Sequence, residues 1–325
     1  MKEGALIRLL IVALRAGLLL MGVGAMVDSN FRQKESDLDP TEAIRLETAA
    51  LNRRPVSREH LATLLDILAT RIGERHPGKP EQLEKAAVWI ESSLSGANLG
   101  YRVERQTYEA EGNEVRNLIA ELPGRERRDE IIVVGAHYDS VAGSPGANDN
   151  GTGVVALLSL ARAFAGEQQT RTIRFVAFVN GAPPYFQTEA MGSLVYVNRC
   201  KARGEKIIVM LGLDSLGDLY GGGTVSISGS EDSSYFIDSA LQAFSIATSL
   251  PAQREVFPVK GADGKSTDHV PFSQVRYPTV DVFAKKVPGV SHPGDVSDTL
   301  DAVDLGTLEG STLGIEAVLR AWANP

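Results

Sequence analysis

Residues 130–140 read EIIVVGAHYDS. From Ile131 to Ala136 no position carries a polar side chain, and the next three residues, His137, Tyr138 and Asp139, all hydrogen-bond. A strand that is apolar on both faces has to be covered on both faces, which is the habit of parallel strands in α/β sheets. The segments that follow repeat the theme: GTGVVALLSLARAFA (151–165) has helical character, TIRFVAFVN (172–180) is a strand, EAMGSLVYVNRCKARG (189–204) a helix and KIIVMLGLDSLG (206–217) a strand. Strands alternating with helices define an α/β domain with a mixed, largely parallel central sheet and helices on both faces, a three-layer sandwich.

Upstream, SREHLATLLDILATRIG (57–73) and PEQLEKAAVWIESSLSGA (80–97) carry helical spacing, the second opened by a Pro. YRVERQTYEA (101–110) and VRNLIAELPG (115–124) flank Glu111-Gly112-Asn113, a hairpin signal that gives the sheet an antiparallel edge. Downstream, TVSISGS (224–230), a helix over 233–247, a strand YPTVDVFAK (277–285) and a helix after Asp304 complete one domain spanning 56–325. FPVKGADGKSTDH (257–269) is expected as a polar loop at the rim of a site. Gly221, Gly222 and Gly223 lack the spacing of a phosphate loop and fit a turn.

Residues 1–27 combine Lys2, Arg8 and Arg15 with an apolar run from Ala16 to Val27, the pattern of a signal peptide or an uncleaved membrane anchor. The expectation is an exported protein: periplasmic, secreted or anchored to a membrane through that segment alone. Residues 28–55 are polar with little periodicity and read as a linker or amino-terminal arm. The formal charge of -8 comes without a basic stripe, which argues against nucleic acid as a partner. Cys200, the lone cysteine, excludes an intramolecular disulfide and Cys-rich zinc modules, leaving His and carboxylates as metal ligands.

In open α/β sheets ligands bind beyond the carboxyl ends of the strands. His137 and Asp139 fall there, two residues apart and hence on one side of an extended chain. A metal-bound imidazole commonly gives its second N–H to a carboxylate, so His137 suits the ligand role and Asp139 the orienting one. Asp149, in GANDNGTG (146–153), suits either a ligand or a helix cap. Asp214 ends the third strand, and His292 follows the fourth in VSHPGDVSDTLDAVD (290–304), with Asp298, Asp301 and Asp304 behind it. Of the remaining histidines, His60 reads as a surface helix position, His76 as part of a polar turn, and His269 as a capping, ligating or substrate-facing group. Two His and two Asp make a nitrogen and oxygen donor set suited to zinc.

At GAHYDS, GANDNGTG, LGLDSLG, STDHVPF and SHPGDVSDTLD the chain resembles the co-catalytic zinc aminopeptidases, metallopeptidase family twenty-eight, whose relatives include glutaminyl cyclases and the transferrin receptor ectodomain. The resemblance implies a first zinc on His137, Asp149 and Asp214, with Asp139 behind His137, and a second zinc sharing Asp149 with His292. Asp268 and His269 would face the substrate, a peptide or aminoacyl compound. In that family the strand before the Asp214 slot ends in two glutamates, one a general base and one a ligand of the second zinc. Here Gly181 takes the slot of the base and Ala182 the slot of the ligand. Glu189 and Asp218 are distant candidates to substitute. Two readings stand: an aminopeptidase-type hydrolase with an altered site holding one zinc, or a catalytically impaired relative serving as a binding or scaffold module.

Overall fold

The computed structural model describes residues 56–219, 223–257, 268–285 and 298–325, all within a compact unit spanning Val56–Pro325. The amino-terminal segments 1–27 and 28–55, His292, Gly221-Gly222 and most of the expected rim loop lie outside the described residues. Helix α1 (Arg58–Leu65) begins at Ser57, whose hydroxyl accepts from the His60 amide, and runs into a wider π-helical stretch, Asp66–Ile72. Its buried residues include His60 as well as Leu61, Leu64 and Leu65. The surface position expected for His60 is therefore corrected. α1 is wedged against α3 (Gly153–Phe164) and α7 (Leu305–Ala323), so its covered face is wider than one apolar stripe.

Helix α2 (Pro80–Leu94) starts on its proline and buries Leu83, Ala86, Ala87, Ile90 and Leu94, the 3.6-residue stripe of an amphipathic helix. Strands β1 (Val103–Ala110) and β2 (Asn113–Leu122) form the hairpin. Its two turn residues, Glu111 and Gly112, both have positive φ (50° and 80°), the backbone that matches a tight hairpin to strand twist.

The parallel core is β3 (Arg127–His137), β4 (Arg171–Phe178), β5 (Lys206–Asp214) and β8 (Thr279–Lys285). With β6 (Thr224–Ser230) and β7 (Ala252–Phe257) the sheet has the order β1-β2-β4-β3-β5-β8-β6-β7. Pairings β4-β3, β3-β5, β5-β8 and β6-β7 are parallel, while β1-β2, β2-β4 and β8-β6 are antiparallel. The mixed sheet of the sequence reading is thus present, with a strand, β7, in AQREVF that the reading did not assign.

Helices α2, α3, α5 (Ser234–Ala247) and α7 lie together on one face. Helices α4 (Gly192–Ala202) and α6 (His269–Gln274) lie on the other. Alternation along β3 serves both: Ile131 and Val133 join Phe178, Tyr196, Val197, Cys200 and Phe272 in one cluster, which leaves Ile132 and Val134 to the opposite layer. Cys200 is buried there as a small hydrophobe, and burial pushes its thiol up to about 12, far from a reactive thiolate. Among the described residues no helix is long and apolar enough to cross a membrane.

Candidate metal centre

Because β4, β3, β5 and β8 run parallel, their carboxyl ends share one edge, and the residues emerging there converge. His137 closes β3 and Asp214 closes β5, both buried. Asp149 arrives between them on the irregular turn Ala147–Thr152 ahead of α3, its side chain 29% exposed. One ligand atom from each of these three residues lies within 4.8 Å of the others, and they are the only such group of three among the described residues. His137 Nε2 is 3.3 Å from Asp149 Oδ1. On the other side of the ring Nδ1 is 3.2 Å from the Asp139 main-chain oxygen and 3.5 Å from its carboxylate. The nearer orienting group is thus the Asp139 carbonyl, with the carboxylate just behind. An Nδ1–H donated to that oxygen leaves Nε2 free to meet a ligand.

The electrostatics suit a site that takes a cation. Burial opposes the charged imidazole of His137, yet the carboxylates of Asp139 and Asp149 outweigh it and hold its pKa well above the usual histidine range. Burial, and then repulsion from Asp149, push the Asp214 carboxyl well above the usual carboxylate range, although the Ser215 hydroxyl donates to it at 2.7 Å. Carboxylates forced together in a dry site are relieved by a divalent cation, and one imidazole with two carboxylates fits zinc. The donor set therefore suits the metal that the sequence implies.

The turn bearing Asp149 is pinned at many points. The Asp298 carboxylate accepts from the Asn148 amide at 2.7 Å and the Asp149 amide at 2.9 Å. Asn150 donates to the Leu213 carbonyl at 2.8 Å, and its oxygen accepts from the Gly153 and Ser215 amides. The helix-capping job that Asp149 also suited thus falls to Asn150, and Asn150 couples the turn to the end of β5.

Gly181 and Ala182 sit on the turn after β4, next to His137. The Gly181 amide donates to Asp139 Oδ1 at 2.9 Å and the Ala182 amide to Oδ2 at 3.0 Å, so both Asp139 oxygens are held by main chain. A Cβ at Gly181 would fall 2.4 Å from both Cβ and Cγ of His137. In this backbone, position 181 has no room for a side chain and points at the imidazole. Of the distant candidates, Glu189 is exposed and Asp218 is buried beyond β5.

Asp268 and His269 are buried at the start of α6. Burial lifts the Asp268 carboxyl to about 6, against the partial offset of His137, and its Oδ1 has no hydrogen-bond partner among the described residues. His269 Nδ1 lies 3.6 Å from Asp281 Oδ1, a buried carboxylate on β8 that fills the space left by Gly212. The sequence reading missed Asp281, Asn150 and Arg75. A lone Arg in the polar turn GERHPG carries no signal of burial, whereas an Asp inside the apolar strand TVDVFA carries one.

A mixed α/β sandwich of this strand order, gathering an imidazole and two carboxylates beside its strand ends, is the frame of an aminopeptidase-like fold with a candidate metal centre. Residues 117–318 match the profile described as Peptidase family M28, and the chain belongs to that family. It is 31% identical over 231 residues to leupeptin-inactivating enzyme 1 of Streptomyces exfoliatus, a match covering 70% of this chain and 48% of that protein. The chain spans about half the length of the curated relatives it matches. In fold it is similar to BSAP, a zinc aminopeptidase from Bacillus subtilis, with a TM-score of 0.67 and 17% identity over 83% of this chain and 96% of the other. It is similar to the glutaminyl cyclase of an Acidobacteriales bacterium as well, with a TM-score of 0.65 and 20% identity over 82% and 95%. At such identities the likeness concerns the fold.

Proposed function

We propose that this protein is an exported hydrolase of the aminopeptidase type that works with one zinc ion and acts on a peptide or aminoacyl compound. The observation that carries the reading is the group His137, Asp149 and Asp214, three donors within 4.8 Å at the carboxyl ends of parallel strands. Zinc on those donors would supply the Lewis acidity that polarises a carbonyl and makes water nucleophilic near neutral pH. The chain's own part is positional. Asp139 fixes the face of His137, Ser215 and Asn150 fix the end of β5, and Asp298 fixes the Asp149 turn. A second zinc, which would share Asp149 with His292, is not part of the proposal.

In the two slots beside His137 the turn after β4 offers no carboxylate to take a proton from water, because Gly181 and Ala182 stand there, and their amides are spent on Asp139. General-base assistance is worth ~10²- to 10⁴-fold, so peptide hydrolysis is expected to be slow by about that factor. Asp268 and His269 are assigned to the substrate side. The same turn favours the second reading, a binding or scaffold module that keeps the fold and one zinc without turnover. Residues 1–27 would be the export signal or anchor, and 28–55 the arm joining it to the domain.

A panel of aminoacyl-nitroanilides assayed with zinc-loaded protein separates the two. Slow cleavage abolished by a chelator and by His137→Ala supports the hydrolase. A zinc-bound sample with no turnover on the whole panel supports the binding module and rejects the enzyme.

A further inference from the structure

Behind the ligand group lies a guanidinium that the proposed chemistry leaves unexplained. Arg75 is fully buried, and its side-chain partners are main-chain oxygens rather than carboxylates. Nε donates to the Tyr138 carbonyl at 2.6 Å, Nη2 to the Gly146 carbonyl at 2.9 Å, and Nη1 to the carbonyls of Gly73 (3.1 Å) and Pro145. The Arg75 amide donates to Ser140 Oγ at 3.1 Å, and the Ser140 amide returns a bond to the Arg75 carbonyl at 2.8 Å. The Ser140 hydroxyl then donates to the Ser144 carbonyl at 2.9 Å.

These partners fall in three places. Gly73 caps the π-helical stretch that follows α1. Tyr138 is the peptide between His137 and Asp139. Pro145 and Gly146 begin the turn that delivers Asp149. Gly146 has a φ of 58°, and a Cβ there would meet Ser140 and the Asp149 carbonyl at 2.6 and 2.7 Å, so the turn is pressed directly onto this residue pair. A charge this deep is expensive to bury, and an apolar residue would fill the volume at lower cost while taking the guanidinium donors from the Gly73, Tyr138 and Pro145 carbonyls and leaving Gly146 only the Gly151 amide. A planar fork of five donors satisfies them together; a lysine ammonium has no such geometry.

We propose that Arg75 is the positioning residue of the metal centre: by tying the Tyr138 carbonyl to those of Pro145 and Gly146, it sets the distance between His137 and Asp149. This rests on the reading of His137, Asp149 and Asp214 as zinc ligands. The hydrogen bonds of the Arg75 side chain go to main chain and none to a ligand side chain, so its hold on the site is through the backbone, with Asp139, Asp298 and Asp149 attracting its charge through space.

The test uses the full chain, with zinc affinity measured by competition against a chromogenic chelator and thermal midpoints taken with and without zinc. Arg75→Lys and Arg75→Gln are compared with Leu319→Ala, a core truncation in α7. Both Arg75 variants are expected to bind zinc ~10- to 100-fold more weakly, the range typical of residues that support ligands. Zinc should then raise their midpoints less than it raises the wild type's. Leu319→Ala should lower the midpoint without zinc and leave affinity within about twofold, since it truncates the buried core of α7 and alters neither a ligand nor a residue hydrogen-bonded to the ligand turn. Wild-type affinity in either Arg75 variant, or an equal loss in Leu319→Ala, overturns the proposal. Where an Arg75 variant does not fold, Ser140→Ala carries the test: weaker zinc binding in a folded protein supports it and unchanged binding overturns it. A wild type that binds no zinc fails the underlying metal reading instead, so the two failures are distinguishable.

Discussion

Replacing Gly181 by Ala adds one methyl group against the imidazole that carries the site. The new carbon would stand 2.4 Å from Cβ and Cγ of His137 and 2.9 Å from Cδ2, where carbon atoms ordinarily rest ~3.5–4.0 Å apart. Something has to move by about 1 Å. If the ring moves, Nε2 leaves its 3.3 Å approach to Asp149; if the turn moves, the two amides at 2.9 and 3.0 Å leave Asp139. Overpacking of this kind costs ~1–3 kcal/mol. Where the ring or the turn yields in the metal-free protein, that strain returns when a ligand demands the original pose. At about 1.4 kcal/mol per tenfold, zinc affinity should fall ~5- to 150-fold. Ala182→Gly, which keeps both amides and removes only a methyl, should stay within about threefold. Chelator competition on the two purified variants decides the matter. Wild-type affinity in Gly181→Ala would refute the steric reasoning. The same geometry predicts that Gly181→Glu combined with Ala182→Glu restores no hydrolysis, because a side chain at 181 in this backbone is aimed at His137.

Asp298→Ala should destabilise the domain by ~1–3 kcal/mol per amide left without an acceptor, read by urea denaturation, and should weaken zinc binding because the Asn148 and Asp149 amides lose their shared carboxylate. Glu74 supplies a pH test. The Gly143 amide, then Lys79 and His76, hold its carboxyl down at about 2. A depressed folded-state pKa stabilises above the unfolded value of ~4.3 and ceases to do so as the pH falls from there toward 2. The stability gap between wild type and Glu74→Gln, measured by thermal denaturation, should be constant at pH 6 to 7 and close across that acidic window. A gap that does not change with pH would remove the ionised Glu74 from the account.

The central sheet was legible because β3, β4 and β5 are apolar on both faces and are separated by helices with clear spacing. The same regularity placed His137 and Asp214 at strand ends, where the structure brings them together with Asp149. Strand β7 was not legible: AQREVF is a polar edge strand whose pairing with β6 depends on neighbours distant in sequence. Helix α6 was missed because a six-residue helix with Pro271 inside it has almost no period. His60 was misjudged and Arg75 missed for one reason. Burial of a polar residue is decided by what packs over it, here α3 and α7 over α1 and the Asp149 turn over Arg75. Gly181 divides along the same line. The absence of an acid is visible in the sequence, but the direction of the missing side chain, into His137, exists only in three dimensions.

The most direct measurement is the zinc content of the chain after exhaustive dialysis, taken on the wild type, His137→Ala and Asp214→Asn. One tightly held ion per wild-type chain and none in either variant is the predicted result. A wild type that retains no zinc, or variants that retain as much as the wild type, would contradict the assignment of the metal to His137, Asp149 and Asp214.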